Sequence, residues 1–275
     1  MRRVLLPLLL LMSISAGAEE DYASWRARRE ERLRRPDGWL TLVGLFWMET
    51  GDNTLGASPA CSFRLENGPA HLGTYRWDGH KLSWLADGQE TICDPDEPEA
   101  ATIWRKDSIS WYTIRRDGRL GLRVKDNQSP VLRTFPGLEF YPPDPNWCIA
   151  GRFKAYGAPR EMRAESVISG LEEVSQSPGE IEFIHQGKLY SLQVSSDGPG
   201  YSLMFGDRSN GRGSYGAGRF LDVEPAGPDG QVLLDFNKAY NPPCCWTPYA
   251  TCPLPLPANR LDFEIPAGEK FSGHH

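Results

Sequence analysis

The chain has 275 residues and a formal net charge of −6 at pH 7, which argues against general binding to nucleic acid. This length suits one large or two small domains, and nine tryptophans, ten tyrosines and eleven phenylalanines provide ample apolar area for a core. After the N-terminal segment, no apolar run is long enough for a transmembrane helix.

Residues 1–18 have the three parts of a secretory signal peptide. Two arginines supply the positive charge, residues 4–14 form the apolar part, and small residues end the segment at Ala18. The apolar run is too short to span a bilayer. We therefore expect a protein that is exported, cleaved near Ala18, and located in the periplasm or outside the cell.

The next segment predicts a short helix over residues 21–35, which residues 36–38 (Pro-Asp-Gly) would end. After this helix the chain reads as strands. Asp-Gly pairs at residues 78–79 and 117–118 each lie between two strand-like runs and predict hairpins, because this pair adopts the positive φ angles of a tight turn. Residues 171–174 are the other helix candidate.

The order of these elements predicts the fold class. Strands and helices do not alternate, so a parallel α/β sheet is unfavourable. We predict a mostly β fold with a short N-terminal helix and two antiparallel β subdomains of the sandwich or barrel type. The subdomains would span residues 19–135 and 148–270, with a proline-rich connection at 136–147 and a tail at 271–275. Residues 261–265 are the last predicted strand.

The spacing of three C-terminal glycines matches a nucleotide-binding motif, but the neighbouring residues do not. Gly211, Gly213 and Gly216 have the dinucleotide spacing, but that motif requires a strand before it and a helix after it. Here residues 207–210 are polar and residues 219–223 are strand-like. We therefore predict no cofactor. The sequence also lacks the HExxH zinc pattern, the phosphate-binding P-loop and the GxSxG nucleophile motif.

Three carboxylates in the same C-terminal stretch are candidate catalytic groups. Asp207, Asp235 and Glu269 could supply a general acid and a general base if two of them face each other. Asn237 and Tyr240 could share a hydrogen-bond network with Asp235. The alternative is a buried polar network that fixes an irregular loop.

Polar and aromatic residues between these carboxylates are candidates for ligand binding. In this interpretation Arg219 would hold an anionic or polyhydroxyl ligand, while Tyr215 and Tyr240 would offer stacking surfaces. The ligand-binding candidates are Tyr215, Arg219, Asn237, Tyr240, Asn241 and Asn259.

The six cysteines are expected to form disulfides if the protein is exported. Cys244 or Cys245 could pair locally with Cys252, and Cys61 could pair with Cys93. The alternatives are a nucleophilic thiol at Cys244 or a metal site. Zinc needs about four ligands, and the three C-terminal cysteines have no second paired spacing, so we predict no metal.

Several motifs make the chain similar to a bacterial family known as domain of unknown function 1684. They lie at residues 36–47, 53–56, 151–153, 214–221, 235–244, 252–253, 259–261 and 267–270. The resemblance implies no activity or cofactor, but it supports the C-terminal segment as the site. The chain departs from the family pattern at Ser214, where threonine is expected, and at Cys245, which adds a second thiol.

The N-terminal half also resembles a forkhead-associated β-sandwich in the rhythm of residues 51–65. Ala57 stands where the phosphothreonine-binding arginine is expected, and residues 68–71 lack the serine-arginine pair before His71. This resemblance therefore implies a fold and no function.

Two functions follow from these observations. The first is binding of a small polar or anionic ligand, or a role at the cell envelope, with the C-terminal loops as the recognition surface. The alternative is a hydrolase-like enzyme that uses Asp207, Asp235 or Glu269 as acid and base, or the thiol of Cys244. A purely structural role remains if Asp235 and Asn237 are satisfied by backbone groups.

Overall fold

The computed structural model describes residues 16–93, 102–196, 198 and 200–271. The charged and apolar parts of the predicted signal peptide lie outside the described residues, as does most of the predicted tail. No helix in the described ranges is both long and apolar enough to cross a bilayer.

The described residues form two α-helices and fifteen β-strands, which confirms the mostly β fold with an N-terminal helix. The helices are α1 (Ala16–Arg34) and α2 (Pro130–Thr134). The strands are β1 (Leu42–Trp47), β2 (Gly51–Gly56), β3 (Phe63–Arg64), β4 (Gly73–Trp77), β5 (Leu82–Ala86), β6 (Gln89–Cys93), β7 (Trp104–Lys106), β8 (Ile109–Arg116), β9 (Arg119–Asp126), β10 (Cys148–Glu165), β11 (Glu172–His185), β12 (Lys188–Val194), β13 (Tyr201–Phe205), β14 (Arg219–Val223) and β15 (Gln231–Asp235).

Two sheets pack face to face in the first half of the chain, with strand orders β3-β2-β4-β5-β6 and β1-β9-β8-β7. Their pairings are antiparallel, apart from the parallel pair β2 and β3. The core between them includes Trp84 and Trp111, whose ring centroids are 5.5 Å apart, and Leu122 and Val124 of β9. Because side chains alternate along a strand, Arg123 lies on the opposite face of β9.

The two Asp-Gly pairs form the predicted turns. Asp117 and Gly118 have φ angles of 49° and 70° and connect β8 to β9. At the other turn Gly79 has a φ of 98°, and the amide of Asp78 bonds the carbonyl of Lys81 at 3.3 Å. These turns fix the register of both hairpins.

The second half has the sheet β12-β11-β10-β15 and the smaller sheet β13-β14 around one apolar core. Phe205 and Phe236 meet edge to face in this core, with centroids 5.3 Å apart. The prediction of a strand at residues 261–265 is wrong: the segment forms no strand ladder, although Leu261 and Ile265 pack into the core. The helix predicted at residues 171–174 is also wrong, because β11 begins there.

One long hairpin connects the two halves. Strands β10 and β11 are 18 and 14 residues long, and their outer ends reach the turn between β8 and β9. There the amide of Glu172 donates to Asp117 Oδ2 at 3.3 Å, and Arg116 Nε lies 3.6 Å from Glu173 Oε1. The predicted connection at residues 136–147 packs elsewhere, against the C-terminal residues, since the amide of Tyr141 donates to the carbonyl of Gly268 at 3.0 Å.

Candidate functional site

A cleft of about 960 Å³ lies between the two halves of the chain. Its walls come from the last turns of α1, the outer face of the sheet β1-β9-β8-β7, strand β14 and the C-terminal loop. Residues with charged or aromatic side chains in these walls include Arg29, Arg32, Trp39, Tyr112, Arg123 and Tyr240. This combination of cations and rings suits an anionic or polyhydroxyl organic ligand.

Arg123 is the buried cation of the cleft, with a relative exposure of 6%. Its Nη2 donates to Thr251 Oγ1 at 3.1 Å, and its guanidinium carbon lies 5.2 Å from the centroid of Trp39. Its Nε is buried without a hydrogen-bond partner, and no carboxylate of the described residues forms an ion pair with it. Burial of an arginine is costly unless a counter-charge accompanies it.

The exposed Arg32 of α1 is a second cation of the cleft without an ion pair in the described part of the chain. Other arginines in the walls are neutralised: Arg29 lies 2.9 Å from Glu269, and Arg35 lies 3.1 Å from Asp37. The free positive charge of the cleft is therefore concentrated at Arg32 and Arg123.

Tyr240 is the predicted ligand-binding residue that lines this cleft. Its hydroxyl donates to both oxygens of Asp222 at 3.2 Å, and Ser202 Oγ donates to the same carboxylate at 3.1 Å. Burial and then the charge of Asp222 raise the pKa of Tyr240, so the phenol stays protonated. The guanidinium of Arg29 lies 4.8 Å from the ring centroid of Tyr240. This part of the cleft offers hydroxyl groups and one carboxylate.

Glu269 and Asn241 come together away from the solvent, where they hold α1 against the C-terminal loop. The carboxylate of Glu269 accepts from Arg29 Nε at 2.9 Å and from the amide of Asn241 at 2.8 Å. Arg29 Nη2 donates to the carbonyl of Asn241 at 2.8 Å. Burial raises the pKa of Glu269, while the charge of Arg29 opposes that rise. This geometry is that of a buried tether.

Asp207 and Arg219 form a second buried ion pair at 2.8 Å, and both side chains are fully inaccessible to solvent. Arg219 also donates to the carbonyls of Ile265, at 2.9 Å, and Ala267. Asp207 Oδ1 accepts from the amide of Ser209 at 2.8 Å. Both Nη atoms of Arg219 are therefore bonded to protein groups, while its Nε has no hydrogen-bond partner among the described residues, and the ion pair braces the loop after β13.

Asp235 and Asn237 belong to a third network, under the start of α1. The hydroxyl of Tyr22 donates to both oxygens of Asp235 at 3.1 Å, and Cys148 Sγ lies 3.3 Å from Oδ1. Asn237 Nδ2 donates to the same oxygen at 3.0 Å. Burial raises the pKa of Cys148, which keeps its thiol protonated. The three candidate carboxylates thus have different side-chain partners, although Arg219 Nη1 links the first two networks by donating to the backbone carbonyl of Glu269 at 3.5 Å.

The two other ligand-binding candidates are occupied by backbone groups. Asn259 accepts from the amide of Gln193 at 2.8 Å and donates to the carbonyls of Gln193 and Met204 at 2.9 and 3.1 Å. Tyr215 donates to the carbonyl of Cys244 at 3.0 Å, and its ring packs edge to face on Phe271. Both arrangements stabilise loops.

All six cysteines are free thiols in the structure. Cys252 lines the cleft, and its Sγ accepts from the backbone amide of Cys244 at 3.3 Å. Cys245 lies in another apolar cluster, with Leu33 and Trp246. Cys61 and Cys93 contact backbone carbonyls of their own segments. Among the described residues, histidine, cysteine and acidic side chains form no group of three or more that could hold a metal.

The family described as protein of unknown function (DUF1684) matches residues 133–270. The chain belongs to the DUF1684 family. The matched region contains all three candidate carboxylates and the pair Cys244 and Cys252, whereas Tyr22, Arg29, Trp39 and Arg123 precede it. The DUF1684 region therefore supplies one wall of the cleft, and the N-terminal sheet supplies another.

A search of curated proteins finds no match to this DUF1684 chain. Among solved structures, the chain is similar to an uncharacterized protein of Haloarcula marismortui that was determined by solution NMR. The two are 27% identical, the match covers 54% of this chain and 85% of that chain, and the TM-score is 0.45.

The N-terminal contribution to the site was not predicted from the sequence, because every catalytic and ligand-binding candidate lies in the DUF1684 region. Arg123 carries a recognisable signal, since it is the one charged residue in the run 120–124 and stands between Leu122 and Val124. Alternation places such a residue on the face opposite the core. Trp39 and Arg32 carry no comparable signal, because their positions depend on how α1 packs.

Proposed function

We propose that this protein binds a small anionic ligand in the cleft, with Arg123 as the residue that holds the anionic group. The observation that carries the proposal is the burial of Arg123 without a carboxylate partner and with a free Nε. A carboxylate or phosphate beside this guanidinium would supply the missing counter-charge and accept charge-assisted hydrogen bonds.

The rest of the cleft supports a ligand with hydroxyl groups as well as an anionic group. Thr251 provides a hydroxyl next to Arg123, and Ser202, Tyr240 and Asp222 provide further polar atoms. Trp39 offers a flat apolar surface. A volume of about 960 Å³ is large enough for a sugar acid or sugar phosphate.

We also propose that the protein is exported. The support is the three-part pattern of residues 1–18. The contacts that anchor α1 come from Asp21, Tyr22 and Arg29, which follow the predicted cleavage site, so the fold keeps them after cleavage. In an oxidising compartment, Cys252 is expected to bridge to a nearby cysteine, and its contact with Cys244 favours that partner over Cys245. Intact mass of protein recovered from the periplasm tests cleavage after Ala18.

The test of ligand binding is isothermal titration calorimetry with orthophosphate, succinate, glucuronate and glucose 6-phosphate, and with glucose as the neutral control. We expect an anionic compound to bind and Arg123→Gln to weaken it by about tenfold or more, because charge-assisted hydrogen bonds are lost. Arg76→Gln is the matched control, since Arg76 is half exposed and paired with Asp52. Equal binding by Arg123→Gln, or no binding of any anion, would overturn the proposal.

A further inference from the structure

Two cysteines, Cys244 and Cys252, contact each other at the wall of the cleft in a way that the ligand site does not require. Cys244 and Cys252 are 7% and 6% exposed and share a small apolar cluster with Leu42 and Ala250. The backbone amide of Cys244 lies 3.3 Å from the sulfur of Cys252. Cys252 lines the cleft, so a small uncharged molecule there can contact this cysteine, and Cys244 lies next to it in the same cluster.

The two thiols have different chemical environments. A hydrogen bond from the Cys252 side chain lowers the pKa of Cys244 against the opposing effect of burial. The same hydrogen bond and burial raise the pKa of Cys252. Cys244 is thus the better nucleophile, and Cys252 is the proton donor beside it.

Cys245 does not share this environment, although it is the next residue in the chain. It is fully buried in the cluster with Leu33 and Trp246, and burial raises the pKa of its thiol. Nothing in that cluster offers a second sulfur. Cys244 and Cys245 are therefore adjacent thiols in different environments, and of the two only Cys244 contacts Cys252. Their reactivities can be compared in the same protein.

We propose that Cys244 and Cys252 form a redox-active thiol pair that reduces a small hydroperoxide admitted through the cleft. The Cys244 thiolate attacks one peroxide oxygen, the O–O bond breaks, and the departing oxygen takes a proton, which leaves Cys244 as a sulfenic acid. The Cys252 sulfur then forms the S–S bond, and the sulfenic oxygen leaves as water. Two thiols are oxidised to one disulfide while hydrogen peroxide is reduced to two waters.

The position of the pair determines which oxidants can react. Because both sulfurs are more than nine-tenths buried, hydrogen peroxide fits, whereas a bulky aromatic disulfide reagent should react slowly. The loop is held in place from outside the pair, since the amide of Val167 donates to the carbonyl of Cys252 at 2.9 Å and Thr247 Oγ1 donates to the carbonyl of Leu42. These bonds keep the two sulfurs together in the reduced state.

The experiment is peroxide titration of the reduced, folded full-length protein, followed by thiol alkylation, intact mass and peptide mapping. We expect a loss of about 2 Da before alkylation and one cross-linked peptide pair containing Cys244 and Cys252. Cys252→Ser removes the resolving sulfur but keeps a hydrogen-bond donor beside Cys244, so the reaction should stop at the sulfenic acid and dimedone labelling of Cys244 should rise about tenfold over that of the wild type. Cys245→Ala is the matched control and should form the bridge at the wild-type rate.

A bridge that uses Cys245, or alkylation of both Cys244 and Cys252 after peroxide treatment, would overturn the proposal. So would dimedone labelling in Cys252→Ser that is no higher than in the wild type. Peroxide titration of the unmodified protein identifies which cysteines form the bridge, and it does not depend on a variant that must fold. The thiol reaction does not need the anion site, so Arg123→Gln should still form the bridge, and the two proposals can fail separately.

Discussion

Arg123 Nη2 donates a hydrogen bond to Thr251 Oγ1 at 3.1 Å, and this bond joins the N-terminal sheet to the C-terminal loop across the floor of the cleft. One partner precedes the DUF1684 region and the other lies within it. The cleft is therefore a property of both halves of the chain together. Substitutions on either side of it should have different consequences.

Arg123→Met should change the free energy of unfolding by less than about 1 kcal/mol in the absence of ligand. The substitution loses one hydrogen bond to Thr251, but it also removes a buried charge that has no carboxylate partner, and these effects oppose each other. Urea unfolding checks this. A loss of several kcal/mol would show that Arg123 serves the fold, and the binding proposal would lose its main support.

Arg219→Met should lower the free energy of unfolding by about 3–5 kcal/mol, because it leaves Asp207 as an unpaired charge in the core. The double variant Asp207→Asn with Arg219→Met should recover part of that loss. Arg76→Gln, which removes a half-exposed ion pair, should cost less than about 1 kcal/mol. Urea unfolding of the four proteins compares them directly, and a small loss for Arg219→Met would contradict the structural role.

Arg29→Ala should release α1 from the C-terminal loop, because the Glu269 carboxylate would remain fully buried without its cation. The expected loss is about 3–5 kcal/mol of unfolding free energy. Hydrogen exchange should show faster exchange in residues 22–34 than in the strands. Arg28→Ala is the control, since Arg28 lies on the exposed side of the same helix. Equal exchange in α1 for the two variants would contradict the tether.

The exposed ion pair and hydrogen bond that Asp262 forms with Lys188 and Tyr190 should make the folded protein less stable in acid. Hydrogen bonds from Lys188 and then Tyr190 lower the pKa of Asp262 to about 2, from an ordinary value of 3.8. A carboxylate whose pKa is lower in the folded than in the unfolded state stabilises the fold at pH values above its unfolded-state pKa. This contribution is lost as the pH falls from about 4 to about 2. Asp262→Asn should therefore flatten the dependence of Tm on pH in that range.

The control for this measurement is Asp229→Asn, at an exposed turn where the carboxylate accepts one backbone hydrogen bond. Its Tm should follow the wild-type pH profile. The difference between wild type and Asp262→Asn should be largest above pH 4 and vanish near pH 2. A difference that persists at pH 2 would mean that Asp262 acts through packing and not through its charge.

Local signals predicted the elements whose determinants are close in sequence. The Asp-Gly turn at residues 117–118 and the N-terminal helix follow from backbone preferences that neighbouring residues already express. The segment 261–265 has the apolar content of a strand, but the core accepts its side chains without a hydrogen-bonded partner strand. Periodicity cannot distinguish these two cases, because both bury the same side chains.

The candidate site was harder to predict because it depends on contacts between distant residues. The carboxylates of Asp207, Asp235 and Glu269 look equally available in the sequence, yet each is committed to partners in the fold, which for Asp235 and Glu269 lie 213 and 240 residues away. The sequence also gave no reason to join Arg123 to Thr251. Hydrogen bonds and ion pairs between distant residues form only in the folded chain. Whether a polar side chain is free to bind a ligand therefore depends on which groups pack beside it.

The hairpin of β10 and β11 carries a mechanical consequence for the cleft. Its pairing shifts register between Ala155 and Arg160, and beyond that point the outer arm of six residue pairs projects to the turn at Asp117. At about 3.3 Å per residue this arm is a lever of roughly 20 Å. A bend of about 6° at the irregularity would displace its tip by about 2 Å, so the curvature of this two-stranded ribbon contributes to the separation of the two halves, beside the contacts of Arg123 with Thr251 and of Leu42 with Thr247.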